Sequence, residues 1–404
     1  MEAIEALQAL FTLDDGSDPY PHYADLLAAG DVFHPSPWLS VFVVGYAAIE
    51  SVLLDPTFQV PGAGFDETFP AWREHPSMSM NTIHDLDGKE HTRVRGHMSR
   101  AFSHRRVRSL APSIAARTAG LLDDMADRGS GGESVDFVTQ FGDPLTVNVI
   151  CDLIGIPPTD RETLRSLAVG LLAGMPDERH RSHEDLAIAD AATIQLNEYF
   201  TALASERRSH PRDDLLSVLV QVHDTGDGRL NDSEMLDNLN AVLANGFLNT
   251  TSLLANGLTL MLSDPQMAAA MRDAEIAPAD FVEETLRYEA PGQMAGRHAA
   301  ASSEIGGVPV RAGAHVILLI GAGNRDPRRF DSPDRFDPRR PDAGALTFGF
   351  GPHFCLGAAL ARLEATIALP ALLTRFPAIA LAGEARRVPG WAFRGFESLP
   401  VTVV

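Results

Sequence analysis

Apolar and small residues recur at helical spacing from Met235 onward, through Leu236, Leu239, Val242, Leu243, Thr250, Leu253, Leu254 and Gly257, and Pro265 closes the run. Asn231-Asp232-Ser233-Glu234 precedes them, with Asn231 and Glu234 at capping-box spacing. The pattern predicts a helix of about 30 residues, roughly 45 Å at 1.5 Å per residue, long enough to cross a domain. From Glu90 to about Gln266 the pattern is mostly helical. The N-terminal part mixes short helices with strand-like runs such as Leu39-Ser40-Val41-Phe42-Val43-Val44. Pro61 to Asp87 is irregular, rich in Gly, Pro, Ser and Met, and reads as a long loop. Arg297 to Ile320 reads as strands around a turn at Gly306-Gly307, and Asn324 to Asp342 as a meander rich in Pro, Arg and Asp. After Gly357, strong helix formers open a last long helix, and Pro370 inside it is expected to kink it or end it early. The fold class is therefore mainly α with a smaller β portion (α+β), without βαβ alternation. One domain is expected over residues 1–404, its β-rich portion built from the N-terminal part and about 297–320.

Composition narrows the function. A chain of 404 residues with 45% hydrophobic content buries a large core. Its two cysteines, Cys151 and Cys355, exclude a disulfide framework and any cysteine-rich zinc or iron–sulfur site. No run of 18 apolar residues occurs, and the acidic start Met1-Glu2-Ala3-Ile4-Glu5 lacks a signal-peptide pattern. We expect a cytoplasmic monomer with no membrane partner. The formal charge of −21 argues against nucleic acid.

The chemistry concentrates in Phe348-Gly349-Phe350-Gly351-Pro352-His353-Phe354-Cys355-Leu356-Gly357. Cys355 closes a glycine-rich loop and stands where a helix begins, where unpaired N–H groups and the helix dipole favour a thiolate. A lone cysteine is most often a small buried hydrophobe. The missing Gly-Lys-Ser/Thr makes a phosphate loop a weak reading, and a Cys–His nucleophile pair fails locally because His353 lies two residues before the cysteine. The full pattern, F-x-x-G-x-H-x-C-x-G, closely resembles the cysteine-ligand loop of the cytochrome P450 family, the haem-thiolate monooxygenases.

That resemblance covers nearly the whole chain. It implies the cytochrome P450 fold, with the long central helix crossing the haem. The implied cofactor is heme b (iron protoporphyrin IX), ligated by Cys355 within Phe348, Gly349 and Gly357, with O2 as co-substrate. No flavin domain is present, so the resemblance implies electrons from NAD(P)H through external partners, a ferredoxin and a ferredoxin reductase. His91, Arg95, Arg297 and His353 match the family's propionate contacts. By the same resemblance, Glu284 and Arg287 join a meander arginine, Arg335 or Arg340, in a buried triad that holds the meander. Basic residues from Arg93 to Arg108, with Arg362, form either a solvated face or a docking patch for an acidic donor.

The central helix departs from the family. Gly246 fits its glycine, but the acid–alcohol pair is missing. Anchoring on Gly246 and Asn256-Gly257 puts Leu248 and Asn249 there, whereas sliding by one to align Thr250-Thr251 puts Asn249 and Thr250 there. Gly246, Asn249 and Thr250 share a helical face by i, i+3, i+4 spacing and are the candidate catalytic positions. Three routes to the protons remain: water ordered by Asn249 or Thr250, which we favour, a substrate hydroxyl, or a different reaction such as peroxide-driven oxidation, coupling or nitration. A haem-binding sensor without turnover is the rival from another class. The substrate is a small, largely apolar organic molecule of secondary or catabolic metabolism. By the same resemblance its pocket is drawn from Ile83, Leu243, Phe247, Gln293, Met294 and Phe396, with the loop from Met78, the Leu171–Met175 segment and Asn245 beside them.

Overall fold

A computed structural model describes residues 3–13, 16–35, 40–60, 81–173, 183–226 and 230–403. Most of the predicted loop from Pro61 to Asp87, including Met78, lies outside the described residues, as does Met175. The chain forms two compact units, the first from Met1–Gln59, Ala111–Leu145 and Asn249–Val404, the second from Val60–Leu110 and Thr146–Leu248. The first unit begins with α1 (Ala3–Phe11), α2 (Tyr20–Ala29), β1 (Val32–Phe33), β2 (Ser40–Val43), α3 (Tyr46–Leu54) and β3 (Phe58–Gln59). The second supplies α4 (Gly88–Ala101) and α5 (His104–Ser109) before the chain returns through α6 (Ala111–Gly129) and β4 (Ser134–Asp136). Helix α7 (Asp143–Ile154) leads back to α8 (Arg161–Ala173), α9 (His183–Ser209) and α10 (Leu215–His223). The central helix α11 (Asp232–Ser263) runs from the second unit into the first. There follow α12 (Pro265–Arg272), α13 (Pro278–Tyr288), β5 (Ala295–Ala299), β6 (Ser303–Ile305), β7 (Val308–Val310), β8 (His315–Leu318) and α14 (Ile320–Gly323). Helix α15 (Ala358–Arg375) and strands β9 (Ala380–Leu381), β10 (Arg386–Arg387), β11 (Phe396–Ser398) and β12 (Pro400–Thr402) end the chain.

The main sheet has the order β1-β2-β8-β5-β3, with β2 and β8 parallel and the other pairs antiparallel. Period-2 alternation gives it two faces. Val41, Val43, Val316 and Leu318 enter one core, and Phe42 and Ile317 the other, against α1 and α2. The turn between β6 and β7 needs left-handed backbone, and Gly306 and Gly307 supply it at φ 55° and 82°.

The start of α11 is a reciprocal capping box: Asn231 Oδ1 accepts from Glu234 N–H and Glu234 Oε2 from Asn231 N–H, each at 2.9 Å. In the first unit α11 packs on α15 and α13 where a Cβ on Gly257 would lie 2.9 Å from Leu369 Cδ1 and 3.6 Å from Phe281. The expectation of an early end to α15 at Pro370 is corrected, because the helix continues five residues beyond it to Arg375. Ala365, Ala368, Leu369, Leu372 and Leu373 are buried on that helix, and their burial offsets the one backbone hydrogen bond a proline removes.

Candidate active site at the head of a helix

The first unit holds the cysteine loop. A 3-10 turn, Leu346–Phe348, leads to Gly349 at φ 69° and Gly351 at φ 68°, both left-handed. At Gly351 a Cβ would also come within 3.0 Å of the Leu53 carbonyl, so the path requires glycine. The loop closes when the Cys355 N–H donates to the Phe348 carbonyl at 2.8 Å, and Leu360 N–H to the Gly357 carbonyl at 2.9 Å begins the helix. Cys355 is left exposed, and Phe354 beside it is 42% exposed. A Cβ built on Gly357 meets nothing within 4 Å. An exposed cysteine among aromatic side chains, at a helix head, with open space over the adjoining glycine, fits a flat macrocycle ligated through sulfur. Among the described residues no three His, Cys, Asp or Glu side chains cluster to hold a bare metal ion.

Behind the loop lies an ionic cluster within the same unit. Arg287 donates Nε and Nη2 to the two oxygens of Glu284 at 2.8 and 2.7 Å, with both side chains buried. The guanidinium also reaches the carbonyls of Asn324, Pro333 and Arg335, and Glu284 Oε1 accepts the Asp337 N–H at 2.8 Å. Arg340 takes the third place, its Nε 3.4 Å from Glu284 Oε2 and its side chain 10% exposed. The Arg335 side chain is 75% exposed and turns to Asp337 instead. The sequence left these two arginines open because both lie in the same irregular meander after Pro333. A helix, a turn and a meander are thus pinned by one carboxylate.

Along α11 the side chains of Ala241, Asn245, Leu248, Asn249 and Ser252 are half-buried and recur at helical period, while Leu243, Phe247, Thr250 and Thr251 are buried. This stripe carries two amides and no acid; Asn245 Nδ2 donates to the Ala241 carbonyl at 2.9 Å. Asn245 and Ser252 were legible from Asn249 by i−4 and i+3 spacing. In the second unit, a Cβ on Gly246 would lie 2.6 Å from Ile150 Cγ1, so the glycine is accounted for by the close approach of α7. In the first, the Cβ direction of Gly395 is filled by Ser252 Oγ, which seats the C-terminal turn on α11.

The remaining expected site residues divide between the units. In the first, Arg297 lies on β5 and is buried, and His353 is half-buried in the loop. Gln293 is buried in the wall, giving Nε2 to the Ala290 carbonyl at 2.7 Å. Phe396 is also buried, under the Arg387 guanidinium at 4.3 Å. Met294 is 37% exposed, and Phe393, which periodicity did not single out, is 41% exposed on the turn bridged to Gly292. In the second unit, His91 is buried and Arg95 half-buried one turn apart on α4. Ile83 is buried, its N–H donating to Asn238 Oδ1 at 3.0 Å. Of the basic run, Arg93 is tied to Glu90 and Glu234 and Arg106 to Asp213, leaving Arg100, His104, Arg105 and Arg108 as its exposed charges.

A mainly helical chain that carries an exposed cysteine on a glycine loop at a helix head, braced by a buried Glu–Arg–Arg cluster, defines a haem-thiolate class of protein. The comparisons agree. The cytochrome P450 family model matches residues 279–386. Cytochrome P450 monooxygenase PikC of Streptomyces venezuelae is 36% identical over 398 residues, 96% of this chain and 92% of that protein. The 6-deoxyerythronolide B hydroxylase of Saccharopolyspora erythraea is 36% identical over 404 residues, 95% of this chain and 96% of that one. Among solved structures, P450BioI in complex with hexadec-9Z-enoic acid ligated acyl carrier protein matches with TM-score 0.88 and 33% identity, over 96% of this chain and 99% of that one. The chain belongs to the cytochrome P450 family, beside bacterial members, and is a haem-thiolate monooxygenase. Haem, O2 and an external source of electrons belong to that function. No described helix is long and apolar enough to cross a membrane.

Proposed function

We propose that this monooxygenase hydroxylates a small, largely apolar organic molecule in bacterial secondary metabolism. Its electrons come from NAD(P)H through a ferredoxin reductase and a ferredoxin, and it works as a cytoplasmic monomer, one catalytic domain over residues 1–404. The observation that carries the reading is Cys355, exposed at the head of α15 beside the open space over Gly357. A heme b bound there would supply the O2-activating chemistry of a monooxygenase. Cys355 holds the cofactor through sulfur, and Phe348, Gly349 and Gly357 shape the loop around it. His91, Arg95, Arg297 and His353 would hold its propionates.

The half-buried stripe of α11 orients substrate and water. In the second unit Leu248 offers apolar contact and Asn245 orients a polar group of the substrate; in the first, Met294 and Phe393 offer exposed apolar surface. Where the family carries an acid, Asn249 Oδ1 holds a water that moves the proton, with the Thr250 hydroxyl on the next position. The molecules named for the relatives, 6-deoxyerythronolide B and a hexadec-9Z-enoic acid ligated acyl carrier protein, set the range of sizes to screen.

The test is the absorption spectrum of dithionite-reduced protein with and without carbon monoxide, followed by turnover with a ferredoxin and its reductase. A strongly red-shifted Soret band that is lost in Cys355→Ser supports the assignment. A band typical of histidine ligation overturns it. Product formation that needs peroxide and ignores the ferredoxin would replace the monooxygenase route by the peroxide one. Asn249→Ala should lower product formed per NAD(P)H consumed; unchanged coupling would remove Asn249 from the proton path.

A further inference from the structure

Beside the cysteine loop the first unit carries an ion pair, Arg362 with Glu283. Arg362, on the second turn of α15, donates Nε to Glu283 Oε1 and Nη2 to Oε2, the latter at 3.0 Å, so the contact is bidentate. The two side chains are 34% and 35% exposed. Such a pair on an open surface contributes little to stability. This one is also stacked, with the Arg362 guanidinium carbon 4.5 Å from the centroid of Phe348. Phe348 is the residue whose carbonyl holds the Cys355 N–H. A full positive charge thus rests on the residue that fixes the ligand, and the carboxylate that offsets it is held by that same guanidinium.

We propose that Arg362 and Glu283 are opposed charges that set the electron affinity of the haem held at Cys355. Arg362 favours the reduced state through Phe348 and the loop, and Glu283 restrains it. The inference rests on the haem-thiolate reading. Its physical basis is Coulombic: a cation near the site stabilises an added electron, an anion destabilises it, and two equal and opposite charges at similar distance nearly cancel.

The experiment is a spectroelectrochemical titration of the haem-loaded protein and of Glu283→Gln, Arg362→Gln and the double variant, at low and high salt. The midpoint potential should rise in Glu283→Gln, fall in Arg362→Gln, and return close to the unaltered value in the double variant. Both single shifts should shrink at high salt, since both groups are partly exposed. Shifts of the same sign, or none, with the thiolate carbon monoxide band intact in every variant, overturn the proposal. Loss of that band in a single variant would make the pair a structural clamp, which also overturns it. Absence of the band from the unaltered protein would instead mean that the haem-thiolate reading itself fails.

Discussion

Two of the ion pairs with the spacing Glu-x-x-Arg on a helix of this chain should differ in weight by several fold. Glu284 and Arg287 are 1% and 0% exposed, with both carboxylate oxygens bonded to the guanidinium. Glu162 and Arg165 on α8 pair at 3.1 Å with side chains 79% and 33% exposed. Replacing Glu162 by Ala removes an exposed i, i+3 contact worth about 0.2–0.5 kcal/mol. Replacing Glu284 by Ala leaves the Arg287 charge buried without its partner, a cost of about 3–5 kcal/mol. It also strips the Asp337 N–H of its acceptor and Arg340 of its anion. With a urea slope of about 3 kcal/mol per molar, the midpoint for Glu284→Ala should fall by roughly 1 M or more, and that for Glu162→Ala by roughly 0.2 M or less. Both are read from urea unfolding monitored by circular dichroism, with haem content measured in parallel because the meander positions the cysteine loop. Equal shifts in the two variants, or full haem content and an unchanged midpoint in Glu284→Ala, would refute the argument that burial rather than spacing gives the pair its weight.

Further expectations rest on separate observations. Glu234→Ala removes one arm of the capping box and one of the two partners of Arg93, and should cost about 0.5–2 kcal/mol in the same unfolding assay, while Glu234→Gln should keep part of that because an amide oxygen still accepts from Asn231. Gly246→Ala drives a methyl into Ile150 and should cost about 1–3 kcal/mol, with Ile150→Val recovering part of the loss; a neutral substitution would show that α7 yields freely. Burial, and secondarily the neighbouring His298, holds His315 down to about 4, so it folds neutral. Because the folded value is below the ordinary 6.5, its contribution is full above pH 6.5 and is lost as pH falls from there toward 4. His315→Gln should flatten the stability profile across that window, and an unchanged slope in pH-dependent unfolding would assign the acid sensitivity elsewhere.

How much was legible in the sequence depends on how local the physics is. The capping box at Asn231 and Glu234, the glycine pair between β6 and β7, and the loop around Cys355 are settled within a few residues, and their local patterns predicted them. Questions of packing between distant segments were less accessible. Arg335 and Arg340 could not be separated, because their difference is the direction of a side chain at the end of an irregular meander. Pro370 was expected to disturb α15, since the local rule counts the missing donor and not the buried apolar face that keeps the helix going.

The central helix shows the same division at the site. Its period gave the helix, yet periodicity cannot say which face is open, because apolar and small residues occupy every side of α11. The structure opens the side of Asn245, Leu248, Asn249 and Ser252, and assigns Gly246 to packing against Ile150. The absence of the family's acid is therefore more than a matter of register. Sliding the alignment by one residue moves Thr250 to the alcohol position, but Thr250 and Thr251 are 6% and 3% exposed. In either register the residues on the open stripe are amides, a leucine and a serine. Such a surface orients water and substrate by hydrogen bonding and has no group of its own that ionises near neutral pH. If Asn249 holds the proton-carrying water, coupling of electrons to product should vary little between about pH 6 and 8 in this chain. A steep dependence over that interval would point to an ionisable group outside the stripe.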